Sequence, residues 1–262
     1  MFTPTDVRYL YDGSFNGFCC CVFESFSRRE IPCAITPEHD ANAFLGEDRK
    51  IPTENAYAER VKSSVHLKLG NGILEFLKLS LLTCIPDKEL LMLALLHKAY
   101  YRYGASVLEH ETDKCINTLL KAVRRLTHEA HQLTGFVRFS EIDGALIAVI
   151  HPKNWVLPLL SEHFCARYPQ ENFLLADASH SMALLHTPQK TEIIRAEGFE
   201  MPLPGAEEQH FRRLWRLYYQ TIAIEQRVNP KARMSHMQKR YWRDMTEMTE
   251  DREPPSANTF LP

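Results

Sequence analysis

The sequence predicts an α+β fold: an antiparallel sheet with helices packed on it, a helical N-terminal half and a helical C-terminal segment. Three observations carry this. Apolar residues recur at spacings of three and four over most of the first 135 positions, the period changes to two on either side of Asp143-Gly144, and helical patterning returns after Pro202-Leu203-Pro204-Gly205. The expected organisation is a core over 1–204, a helical segment over 205–250 packed on it, and a disordered tail over 251–262, where the chain turns polar and Pro-rich.

In chain order, Val7 to Tyr11 alternates weakly and predicts a short strand, ended by Asp12-Gly13. Ser14 then caps a helix with Phe15, Phe18, Cys19, Val22, Phe23 and Phe26 on one face, Arg28 and Arg29 in its last turn, and Pro32 to stop it. Thr53 to about Thr83 is helical and divided in two by Gly70-Asn71-Gly72. Asp87 caps a helix to Tyr103 that stops at Gly104; its run Leu90–Leu96 is apolar on nearly every side, so this helix is expected to be the most buried. A further helix starts near Thr112, buries Ile116, Leu119, Leu120, Val123, Leu126 and Ala130, and ends at Gly135. Phe136–Ile142 and Ala145–Ile150 flank Asp143-Gly144 as a hairpin with a two-residue loop, which places Phe139 toward the core and Arg138 away from it. Trp155–Tyr168 is an amphipathic helix that tolerates Pro158 in its first turn, and Asn172–Asp177, Met182–His186 and Thr191–Ala196 are strands. Glu207–Gln226 and Pro230–Arg240 are the C-terminal helices.

A chain of 262 residues can bury a sizeable core as one large domain or two small ones, and 45% hydrophobic with 24% charged residues is ordinary globular composition. A net charge of −2 gives no global field to attract nucleic acid, so any such contact needs a local basic face. Met1–Tyr11 has neither a basic nor an apolar leader segment, and Leu90–Leu96 falls far short of the roughly 18 apolar residues a spanning helix needs. No membrane partner is therefore expected, and the location expected is the cytoplasm. The seven cysteines are odd in number and contain no C-x-x-C pair, which fits reduced thiols better than a disulfide framework.

The residues suggest four chemistries. Arg212, Arg213 and Arg216 fall within about 100° of helical arc, away from Phe211, Trp215, Tyr218 and Ile222, and Lys239, Arg240 and Arg243 follow with Tyr241 and Trp242 interleaved. Arginine forks suit phosphates and aromatic faces suit bases, so this is the candidate nucleic-acid surface; the plainer account is a solvated basic face over a buried aromatic stripe. His128 and His131 stand at i, i+3 beside Glu129, which is not the H-E-x-x-H zinc spacing, so no metal and no cofactor are expected. Cys19-Cys20-Cys21 point about 100° apart on a helix and cannot share one iron–sulfur cluster. Asp12, Glu129, His131 and His163 are the leading candidates for a His–carboxylate catalytic pair, from a wider set with Glu24, Arg138, Arg167 and Asp177, against the structural account in which Asp12 caps backbone amides and Arg138 or Arg167 pairs Glu129. Motifs for nucleotide hydrolysis, hydride transfer, serine hydrolysis and radical-SAM chemistry are absent from the sequence.

Four groups of residues stand out: Tyr11-Asp12-Gly13-Ser14-Phe15 with Gly17-Phe18 and Val22-Phe23-Glu24; Glu129-Ala130-His131, Gly135-Phe136 and Arg138-Phe139; Leu157-Pro158-Leu159-Leu160 with His163-Phe164 and Arg167; and Leu214-Trp215, Tyr218-Tyr219, Asn229-Pro230 and Lys239-Arg240-Tyr241-Trp242. Taken together they resemble an uncharacterised bacterial family labelled as probable DNA-metabolism proteins. Gln238 stands where that family usually has proline. The resemblance implies a unit found alone or fused ahead of a uracil-DNA-glycosylase-type domain, associated with a radical-SAM protein of DNA repair or modification; this chain resembles the stand-alone form. The function expected from it is that of an accessory protein binding DNA, a radical-SAM partner, or both, with a stand-alone enzyme acting on a nucleobase or nucleotide as the alternative.

Overall fold

The structure, a computed structural model, describes residues 2–202, 205–221 and 230–248. It divides into two compact units, Met1–His128 and Glu129–Pro262. The division falls inside a helix and not at Pro202–Gly205. Leu203 and Pro204 lie outside the described residues, as does the stretch 251–262 expected to be a tail.

In the first unit, β1 (Thr3–Pro4) runs parallel to β3 (Glu30–Ile31). The central strand β2 (Val7–Tyr11) lies between β4 (Ala34–Pro37) and β5 (Glu47–Lys50), and both neighbours are parallel to it. A parallel neighbour requires a crossover, here α1 (Phe15–Arg28) on the way to β4. All five β2 residues are buried, as in a strand covered on both faces. β5 reads Glu-Asp-Arg-Lys, without one apolar residue, and so has no period-two signal; Arg8 of β2 holds it through an ion pair with Asp48 at 2.7 Å.

The Ser14 hydroxyl caps α1 by accepting from the Gly17 amide at 2.9 Å, and the helix ends ahead of Pro32 because Arg29 adopts a left-handed φ of 57°. α2 (Asn55–Leu69) and α3 (Asn71–Leu81) are separated by Gly70, whose φ of 93° a side chain would resist. α4 (Lys88–Lys98) buries Met92, Leu93, Leu95 and Leu96, then widens into a π-helical turn over Ala99–Tyr103 and a 3-10 stretch over Gly104–Glu109. Asp87 occupies its cap position at a left-handed φ of 53° without a side-chain hydrogen bond. Tyr9, Tyr11, Phe18, Leu77, Ile116 and Leu119 pack with α4 into one core.

The boundary helix α5 (Lys114–Phe136) buries Ile116, Leu119, Val123, Leu126 and Ala130, while Leu120 stays half-exposed. The second unit holds one five-stranded sheet in the order β10 (Lys190–Arg195), β9 (Met182–Thr187), β8 (Phe173–Asp177), β7 (Ala145–Ile150), β6 (Ser140–Ile142). The fold is α+β, but the expected antiparallel sheet is corrected: β7 and β8 are parallel within an otherwise antiparallel order, and the first unit's sheet is wholly parallel. The reason is α6 (Leu157–Arg167), which serves as the crossover between β7 and β8.

The hairpin forms with Ile142 opposite Ala145, and Asp143 and Gly144 take φ of 51° and 75°, the pair of positive angles that a two-residue primed turn needs. β6 starts only at Ser140, because α5 runs on to Phe136. Phe139 nevertheless packs edge-on against Phe164, Tyr168 and Phe173 at 5.3–5.7 Å, while Arg138 turns to Glu247. The C-terminal elements are α7 (Ala206–Thr221), α8 (Pro230–His236) and a 3-10 stretch over Lys239–Asp244, so the shorter helix expected to reach Arg240 breaks after His236.

Candidate functional site

The described C-terminal residues place the sequence-derived candidates on α7 and the 3-10 stretch, and α7 is turned the opposite way from expectation. Its aromatic and aliphatic row faces outward: Phe211 is 57% exposed, Trp215 41% and Tyr218 54%, with Leu214 and Leu217 beside them. Glu208, Gln209, Arg212 and Arg216 are half-buried instead. The cause is local. Arg212 Nε lies 2.9 Å from Glu208 one turn back, and its Nη2 donates to the hydroxyl of Ser140, a buried residue of β6. Arginine here fixes the helix to the hairpin; Arg213 is the exposed member of the trio.

Arg212→Ala is accordingly expected to lower the stability of the second unit by about 1–3 kcal/mol, against under about 0.5 kcal/mol for Arg213→Ala. The three tryptophans, Trp155, Trp215 and Trp242, all belong to this unit, so urea midpoints followed by tryptophan fluorescence make the comparison. Equal midpoints would show that the Ser140 anchor contributes nothing.

The 3-10 stretch buries one of its two aromatics. Tyr241 is buried and donates to Gln132 Oε1 at 3.0 Å, whereas Trp242 is half-buried, its indole donating to the Met237 carbonyl at 3.1 Å. Lys239 is exposed, with its ammonium 5.8 Å from the Trp242 ring centre. Arg240 faces the Tyr241 ring at 4.5 Å, and its Nη1 lies 3.2 Å from Glu129 Oε1.

Glu129 joins three segments. Its carboxylate, 2% exposed, accepts from the Lys153 amide at 3.0 Å, the Asn154 amide at 3.0 Å and Asn154 Nδ2 at 2.7 Å, besides facing Arg240. The loop after β7 and the 3-10 stretch are thereby tied to α5. Arg138 makes a two-pronged contact with Glu247 at 2.6 and 3.2 Å. Burial opposes ionisation of Glu247, but hydrogen bonds from Arg138, and one from Trp215, outweigh it and hold the carboxyl below the usual range.

The candidate catalytic residues do not pair. His131 and His163 are exposed and have no carboxylate partner among the described residues, and Glu129 is spent on backbone amides and arginine. Asp12 belongs to the first unit, where Oδ1 accepts from the Ser14 amide at 2.8 Å and Oδ2 from the Thr53 hydroxyl at 2.9 Å. Desolvation works against these bonds, yet they prevail and lower its pKa. Gly17 is needed for that turn, since a Cβ there would meet Asp12 Oδ1 at 2.2 Å. Asp12 thus acts as a turn cap.

Two other His–carboxylate pairs form in the second unit; neither is expected as a pair from the sequence, although Asp177 stands in the wider candidate set. They sit beyond the carboxyl ends of the parallel strands β7 and β8. His151 Nδ1 lies 2.9 Å from Asp244, and His180 Nδ1 lies 2.6 Å from Asp177, which is 1% exposed. Trp155 leans on His180 with ring centres 4.5 Å apart. Burial raises the pKa of Asp244, with His151 opposing. An aspartate on Nδ1 orients the ring and leaves Nε2 as the reactive nitrogen. Among the described residues, no group of three or more His, Cys, Asp or Glu is placed to hold a metal ion, and no helix is long and apolar enough to cross a membrane. Cys19, Cys20 and Cys21 are all buried in α1.

No curated protein and no solved structure matches the chain. A family model does match, over residues 86–247, which takes in Glu129, Arg138, Arg240 and Glu247; the chain belongs to the family described as a domain of unknown function, DUF4130.

Proposed function

We propose that the protein is a DNA-metabolism accessory protein that binds nucleic acid through its C-terminal segment and works beside a radical-SAM enzyme of repair or modification. The partner is suggested by the resemblance in sequence. The observation that supports nucleic-acid binding is the outward row Phe211, Trp215 and Tyr218 on α7, with exposed Arg213 on the same helix. Trp215 and Tyr218 already lie nearly parallel, 5.6 Å apart at 28°. Exposed aromatic faces form a platform for unpaired bases, each base–ring contact being worth about 1–3 kcal/mol.

Anisotropy of labelled single- and double-stranded oligonucleotides over a salt series tests this. Wild type is expected to prefer the single strand. Phe211→Ala with Tyr218→Ala should weaken that binding about tenfold or more, and Arg213→Ala should reduce the salt slope by about one. If wild type shows no salt-dependent binding, the reading fails and the α7 row becomes a protein contact.

One observation favours the alternative, an enzyme acting on a nucleobase or nucleotide: the Asp177–His180 pair with Trp155 against its ring, at the strand ends where parallel sheets commonly place ligands. His180→Gln would abolish such an activity and leave α7-dependent binding intact.

A further inference from the structure

We infer that the first unit carries a separate site for a nucleotide with phosphate on both sides of its sugar, the chemistry of one unit within a nucleic-acid strand. The inference rests on a cavity of about 520 Å³ between α1, α2 and the π-helical turn, within the size range of small-ligand sites. Most of its lining precedes the part of the chain matched by the family, and it shares no residue with α7.

The walls combine two chemistries. α1 supplies Phe23 and Phe26. Phe23 is backed by Tyr57, stacked at 4.3 Å and 8°, and Phe26 by His97, stacked at 4.5 Å and 17°. The turn Ala99–Tyr103 adds Tyr100 and Tyr101, the latter 68% exposed at the rim. Adjacent residues of an α-helix point about 100° apart, and the wider π turn brings two neighbouring tyrosines to one cavity. The rings thus offer flat apolar faces to a base.

α2 supplies the charge. Arg60, Ser64 and Lys68 recur every fourth residue and so share one helical face. Arg60 lies 5.6 Å from the Phe23 ring centre and Lys68 5.8 Å from that of Tyr100, while Ser64 Oγ is 2.9 Å from the Tyr100 hydroxyl. The lining contains both cations and no carboxylate, and neither cation has a carboxylate partner among the described residues. Their backbones stand about 12 Å apart along the helix, from eight residues at 1.5 Å each. Phosphates on either side of the sugar of a nucleotide whose base is seated on the rings would give each cation its own partner, whereas a single phosphate would have to draw both long side chains together.

The choice of ligand rests on the nucleic-acid reading above; the site itself does not. Calorimetric titration of the full chain with deoxyadenosine 3′,5′-bisphosphate, deoxyadenosine, inorganic phosphate and a short deoxyadenosine oligonucleotide tests it. The bisphosphate is expected to bind at least about tenfold more tightly than deoxyadenosine or phosphate, and Arg60→Ala, Lys68→Ala and Tyr101→Ala should each weaken it about fivefold or more. Unchanged circular dichroism melts keep those variants interpretable. Bisphosphate binding without oligonucleotide binding assigns the site to free nucleotides; oligonucleotide binding lost with Arg60→Ala, with or without the bisphosphate, assigns it to a strand. Phosphate binding as tight as the bisphosphate would leave a plain anion site, deoxyadenosine binding as tight would leave an apolar pocket, and no binding at all would also overturn the inference. If oligonucleotide binding depends on Phe211 and Tyr218 but not on Arg60, Lys68 or Tyr101, only this inference falls. If the bisphosphate binds in the Phe211→Ala, Tyr218→Ala variant while wild-type oligonucleotide binding ignores those two residues, only the α7 reading falls.

Discussion

Glu129→Ala is expected to lower the stability of the second unit by about 3–5 kcal/mol, the range for removing one partner of a buried ion pair. The carboxylate accepts three hydrogen bonds, from the Lys153 amide and from the backbone and side chain of Asn154, and the two buried Asn154 donors would lose this acceptor. Arg240 would lose its counter-charge as well, and its Nε already has no hydrogen-bond partner among the described residues. Glu129→Gln should not rescue this, because half of the new amide presents a donor to donors. Removing Arg240 alongside Glu129 should recover part of the loss, since the stranded charge leaves with it. Urea denaturation followed by tryptophan fluorescence reads all of these variants. A loss below about 1 kcal/mol for Glu129→Ala would show that the three segments hold together without the carboxylate.

Which parts were legible in the sequence follows from how local each signal is. The Ser14 cap, the break at Gly70, the burial of α4 and the Asp143-Gly144 turn each depend on residues within a few positions of one another, and each is present. Strand direction is not local. The same hydrophobic pattern in β8 serves either orientation, and only the path through α6 makes it parallel to β7. β5 was illegible because Glu47-Asp48-Arg49-Lys50 pairs through its backbone and through Arg8 while burying no side chain.

The site followed the same logic. In the sequence Glu129 is a candidate for catalysis or for a pair with Arg138 or Arg167, and Arg240 a phosphate contact; only the tertiary structure shows Glu129 and Arg240 neutralising each other, with Arg138 on Glu247 instead. On α7, two faces can be told apart by period, and their chemistry argued for arginines outward. Ser140 and Glu208 reversed this by offering Arg212 inward partners. The Arg60-Ser64-Lys68 repeat was readable as a polar face of α2. Its meaning depends on the π turn, whose extra residue leaves no mark in the pattern.

The first unit is expected to lose stability steeply above pH 9, and the cause lies in groups kept neutral by its core. Burial pushes the Cys19 thiol from 9.0 up to about 12 and raises that of Cys21 further. Burial likewise raises the phenols of Tyr9 and Tyr11, aided by their hydrogen bonds to Glu30 and Glu89. Each group is an acid whose folded pKa exceeds its unfolded one. Below about pH 9 both states keep the proton and the groups add no pH dependence; above it the unfolded chain ionises first and is favoured. The slope is about 1.4 kcal/mol per pH unit for each such group, so Cys19 alone removes roughly 4 kcal/mol between pH 9 and its folded value near 12. With Cys21 joining from the same pH and the tyrosines from about pH 10, the loss by pH 11 approaches the whole stability of an ordinary domain, about 5–15 kcal/mol. Urea midpoints from far-ultraviolet circular dichroism between pH 7 and 11, under reducing conditions, should be flat to about pH 9 and then fall. Cys19→Ala should make that fall shallower, and tyrosinate absorbance at 295 nm should rise together with unfolding rather than before it. A midpoint unchanged at pH 11, or tyrosinate appearing in the folded protein near pH 10, would show that these groups are hydrated and that the core around β2 and α1 is looser than the structure has it.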